Sequence, residues 1–88
     1  MNGRSLVAWN LSRIRVAKGI SQERLAFDAG VDRAYVGGLE RQSENPTVDV
    51  LERLSATLGV PLTELFRLPS PGEPRPPTLR AGRRAKAG

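Results

Sequence analysis

Apolar residues return along the first two thirds of the chain at helical spacing. Val7, Leu11, Ile14 and Ala17 form one stripe, with Arg13, Arg15 and Lys18 set around it. Gly19 supplies a left-handed stop, and Ile20 is placed to pack back on the helix it ends. Ser21 follows as an N-cap, and Glu23 in the first turn suits the helix dipole. The second helix, predicted over residues 22–29, turns Leu25, Ala26 and Ala29 inward and stops at Gly30. Val31 is a buried turn residue, and Asp32 caps a third helix over residues 33–41 with Val36 and Leu39 inside. Asn45-Pro46 breaks the chain, Thr47 caps a fourth helix striped by Val48, Leu51, Leu54 and Leu58, and Gly59 ends it. Pro61 opens a last turn or two, from which Leu62, Leu65 and Phe66 close the core. No strand-like alternation and no internal repeat interrupts this order. The expected fold is all-α, a compact five-helix domain over residues 1–66, followed by a tail over residues 67–88.

Composition removes whole classes of chemistry. The chain has no cysteine and no histidine, so zinc sites, thiol nucleophiles, disulfides and imidazole-based triads are out of reach. Its carboxylates are scattered over helices and not gathered at one pocket, so an enzyme is not expected; there are no catalytic residues, cofactors or metal ligands to name. The longest apolar run near the start, Leu6-Val7-Ala8-Trp9, is far short of the roughly 20 residues that span a bilayer. The first 22 residues carry four basic groups and no acid, superficially like a targeting peptide, yet their periodicity runs straight into the next helix. A cytoplasmic protein without a membrane role is expected.

The charge is unevenly placed. The chain carries +5 overall, but residues 1–66 hold eight basic and eight acidic groups and net zero. The excess belongs to residues 67–88, where Arg67, Arg75, Arg80, Arg83, Arg84 and Lys86 face Glu73 alone. Five of the seven prolines lie there too, and after Leu68 only Leu79 could bury apolar surface. Such a segment cannot offset the entropy of ordering and is expected to be disordered. Within the domain, residues 1–41 net +3 and residues 42–66 net −3, an asymmetry that would orient it on a polyanion.

Two short helices joined by a glycine-containing turn make a helix-turn-helix. The sharp turn at Gly30-Val31-Asp32 would brace the second helix across a DNA backbone and send the third into the major groove, which is about 12 Å wide. Residues 14–66 then resemble the Xre-type (Cro/CI-like, lambda-repressor-like) helix-turn-helix family. The resemblance is carried by Lys18-Gly19-Ile20-Ser21-Gln22, Leu25-Ala26, Ala29-Gly30-Val31, Tyr35-Val36, Leu39-Glu40, Asn45-Pro46-Thr47 and Leu58-Gly59-Val60-Pro61 in this order. It implies a transcriptional regulator that binds double-stranded DNA as a homodimer on a palindromic operator.

The same resemblance assigns roles by position. Gln22 matches a glutamine that donates to a phosphate, and Asp32, Arg33, Ala34 and Tyr35 match the start of the recognition helix. Arg33 is the best base-reader among them, since a guanidinium can hold guanine O6 and N7 together. Arg41 and Asn45 match backbone-positioning contacts, and Arg15 with Glu40 matches a structural ion pair between the first and third helices. Gly37 and Gly38 depart from the pattern, standing where the family presents polar readers. Either they let DNA approach the backbone closely, or the domain reads few bases and leans on Arg33 and its tail; the second is favoured. Trp9 and Phe27 stand where exposed polar residues are usual and mark a surface for a protein partner. The rival reading of function is an antitoxin or other interaction module whose tail binds a partner protein.

Overall fold

Four side-chain caps open the four helices of the computed structural model, which describes residues 1–73. Asn2 accepts from the Ser5 N–H (2.9 Å), Ser21 from Arg24 (3.0 Å), Asp32 from Ala34 (2.9 Å) and Thr47 from Val50 (3.1 Å). They begin α1 (Gly3–Ala17), α2 (Gln22–Ala29), α3 (Arg33–Glu40) and α4 (Val48–Leu58). Each cap satisfies an amide that the helix itself leaves without a partner.

The helix ends are equally regular. At Gly30 the backbone turns left-handed (φ 73°), which brings the Val31 N–H back to the Ala26 carbonyl at 2.9 Å. The same closure follows α1 and α4, and in each case an aliphatic residue (Ile20, Val31 or Val60) packs against the core. The end of α3 differs. Gln42 occupies the left-handed position (φ 66°), and Ser43 donates its N–H to Gly38 O at 2.8 Å. A glutamine in that conformation costs roughly 1–2 kcal/mol where glycine would cost little.

The core gathers Leu11, Leu25, Val36, Leu54 and Leu65, all without solvent exposure, from every element. Three predicted core positions fall outside it. Ala17 is exposed because Arg15 continues the buried face of α1 in its place. Val48 is 64% exposed: side chains lean towards a helix N-terminus, and the first residue has no preceding turn to cover. Phe66 is 42% exposed, leaving closure to Leu65.

The expected fifth helix is a 3-10 turn, Leu62–Phe66. Glu64 donates to the Pro61 carbonyl (2.9 Å), a three-residue closure. The backbone is already extended at Arg67 (φ −68°, ψ 130°), and Pro69 disfavours the helical conformation at Leu68, which opposes lengthening of the turn into an α-helix.

The chain stays docked on α1 past Phe66. Asn10 is fully buried, and its amide donates to the carbonyls of Leu65 (3.1 Å) and Arg67 (2.8 Å) as well as Leu6 (3.0 Å). The Arg13 and Arg67 guanidinium carbons stand 5.9 and 5.8 Å from the centre of the Trp9 ring, within cation–π range. Arg67 in turn pairs with Glu73 at 3.2 Å. The Glu73 carboxyl is held below the usual range first by the Ser70 N–H and then by Arg67. Residues 74–88, the greater part of the expected disordered tail, lie outside the described residues.

Candidate nucleic-acid interface

The turn at Gly30 fixes how α3 leaves α2. The Asp32 carboxylate accepts the Ala34 N–H and so caps α3. Val36 and Leu39 bury the inner face of α3, which leaves Arg33 and Ala34 exposed on its first turn. Tyr35 is half-buried between the two faces. Burial, and secondarily the charge of Glu44, raises its phenol above its ordinary range.

Behind this face lies a buried charge network. The Arg15 guanidinium donates to both Glu40 oxygens, from Nε at 2.7 Å and from Nη2 at 2.9 Å. Its Nη1 donates to the Ile20 carbonyl at 2.8 Å. Gln22 Nε2 donates to Glu40 Oε1 at 2.9 Å. Arg15 is 1% exposed, so these bonds replace the water that it loses. The network fastens α1, the first residue of α2 and the last residue of α3 to one carboxylate. Gln22 keeps a second amide hydrogen for another acceptor.

Gly37 and Gly38 are both buried on α3. A Cβ on Gly37 would lie 3.1 Å from Arg41 Nη1 and 3.5 Å from Gln22 Oε1. One on Gly38 would lie 2.6 Å from Glu44 Cγ and 3.2 Å from both Glu44 Oε2 and Ser43 Oγ. Side chains from elsewhere thus roof both glycines. Arg41 and Asn45 are exposed.

Gly37→Ala is expected to stabilise the domain by about 0.5–1 kcal/mol, because alanine forms helix better and only the mobile tip of Arg41 must yield. A thermal melt followed by circular dichroism checks it; a lowered midpoint would mean that Arg41 cannot move aside.

Of the two aromatic residues expected to mark a partner surface, only Phe27 is open, at 80% exposure. Trp9 is half-buried between its two arginines. Sequence reasoning missed Asn10 and Glu44. The signal for Asn10 is a polar residue within the Val7–Ile14 stripe; nothing local marks Glu44.

Among the described residues, no cluster of potential metal ligands occurs and no helix is long and apolar enough to cross a membrane.

Comparison with known proteins agrees with this geometry. Residues 11–65 match the family model HTH_3, described as helix-turn-helix. A hypothetical transcription factor of Neisseria meningitidis is 41% identical over 66 residues, covering 75% of this chain and 62% of that protein. The chain thus spans under two thirds of that relative's length. An uncharacterised HTH-type transcriptional regulator of Sinorhizobium fredii, y4dJ, is 42% identical over 65 residues, covering 74% of this chain and 84% of the relative. The crystal structure of the restriction-modification controller protein C.AhdI from Aeromonas hydrophila is similar at a TM-score of 0.70 and 41% identity. That match covers 72% of this chain and 96% of the controller.

Proposed function

The chain belongs to the Xre-type (Cro/CI-like) helix-turn-helix family, and on that premise we propose that it is a DNA-binding transcriptional regulator that places α3 in the major groove. The observation that carries this reading is the Arg15–Glu40–Gln22 network. It makes α2 and α3 one rigid head, with Arg33 and Ala34 projecting from the first turn of α3. Arg33 is positioned to hold a guanine, Ala34 to meet a thymine methyl, and Gln22, Tyr35, Arg41 and Asn45 to bond phosphates. Two copies acting as a homodimer would meet major grooves about 34 Å apart on a palindromic site. Exposed Phe66 and Leu68 offer apolar surface for pairing. Similarity to a restriction-modification controller favours a repressor or autoregulator, working in the cytoplasm.

Selection of bound duplexes from a random pool tests the reading. The wild-type protein is expected to enrich two inverted half-sites about one helical turn apart. Arg33→Ala should lose discrimination at one guanine per half-site by about 1–3 kcal/mol. Enrichment of no sequence by the wild-type protein would refute the function; unchanged preference in the variant would refute the role of Arg33.

A further inference from the structure

The roof over Gly38 is made by the loop that follows α3. Gln42 turns the chain back, and Ser43 pins the loop by donating both its N–H (2.8 Å) and its hydroxyl (3.2 Å) to the Gly38 carbonyl. Glu44 consequently lies where a side chain on residue 38 would begin, its Cγ only 2.6 Å from that missing Cβ. The two are mutually exclusive: any larger residue at 38 displaces Glu44, and glycine admits it. Residue 38 sits one helical turn behind exposed Ala34, on the same stripe of α3.

The Glu44 carboxylate takes part in none of the ion pairs among the described residues. Beside phosphates, an unpaired carboxylate opposes binding unless it accepts a hydrogen bond on the DNA. The major groove supplies a suitable donor in the cytosine N4 amino group, which carboxylates recognise.

We infer that Glu44, carried onto α3 by the loop and admitted by Gly38, is a specificity-determining residue that reads a cytosine in the operator. The inference rests on the DNA-reading function proposed above. It also gives the double glycine a purpose: the reader missing from residue 38 is supplied from residue 44.

The test is selection from a random duplex pool with the wild-type chain and three variants, each first shown by thermal melting to be folded. The wild-type protein should enrich one cytosine per half-site, separate from the guanine assigned to Arg33. Glu44→Ala should lose about tenfold in discrimination at that cytosine while keeping the guanine. Glu44→Gln should shift the preference towards adenine, which an amide holds through N6 and N7. Gly38→Ala, which displaces Glu44 without removing it, should weaken the cytosine preference likewise. If Glu44→Ala binds all sequences more tightly with an unchanged base profile, Glu44 is only a repelled charge and the inference falls. A wild-type protein that enriches nothing would remove the underlying function, and the inference with it.

Discussion

Truncating Glu40 to alanine is expected to destabilise the domain by about 3–5 kcal/mol, because it leaves the Arg15 guanidinium charged and buried without its partner. At 1% exposure Arg15 cannot reach water without disturbing α1. Domains of this size have a total stability near the bottom of the 5–15 kcal/mol range, so a large unfolded fraction should appear at 37 °C. The thermal midpoint should fall by more than 10 °C, on the scale of roughly 4–8 °C per kcal/mol. A second variant separates stability from function. In Arg15→Met/Glu40→Leu both charges go together, and replacement of a buried pair by apolar residues is commonly neutral or stabilising. Gln22 still loses the Glu40 oxygen that holds its amide at 2.9 Å. The double variant should therefore melt near the wild-type temperature but bind its operator at least several-fold more weakly. Wild-type affinity in a stable double variant would show that the network only holds the fold together.

What was legible in the sequence was local. Ser21, Asp32 and Thr47 cap helices because a short oxygen-bearing side chain just before an apolar stripe has few better uses, and all three accept the expected amides. Gly30 could be read as a helix end because a left-handed residue there is ordinarily glycine. The end of α3 carries no such mark. Gln42 takes the left-handed position against its own preference, so the path of the loop, and with it Glu44 over Gly38, was hidden. The pairing of Arg15 with Glu40, 25 residues apart, follows from no periodicity; it was expected only through family resemblance. Gly37 and Gly38 show the limit of that resemblance. It located them on α3 but could not tell an empty position from one filled by Arg41 or Glu44. Trp9 was misread as open for a similar reason, since one of its two covering arginines, Arg67, comes from a segment expected to be disordered.

The docking of that segment depends chiefly on Asn10. Its carboxamide has two N–H groups and shares them among three carbonyls, two of which, Leu65 and Arg67, belong to the segment after α4. Its oxygen accepts from Arg13 Nε (3.2 Å) and Nη2 (3.0 Å), which keeps that guanidinium beside Trp9. Asn10→Ala should therefore cost about 2–4 kcal/mol, since a buried acceptor left unpaired costs roughly 1–3 kcal/mol and a small void is added. Trp9 is the only tryptophan in the chain, so its emission reports the same event. As Arg67 leaves the ring, the emission should shift to the red at denaturant concentrations where circular dichroism still records intact helices. Asn10→Asp sharpens the test: it keeps the shape and the acceptor for Arg13 but donates nothing to Leu65 and Arg67, and at neutral pH it sets a carboxylate against their carbonyls. It should be at least as unstable as the alanine variant. Wild-type stability in Asn10→Asp would show that the Asn10–Arg13 bonds, and not the amide donors, hold residues 65–67 on α1.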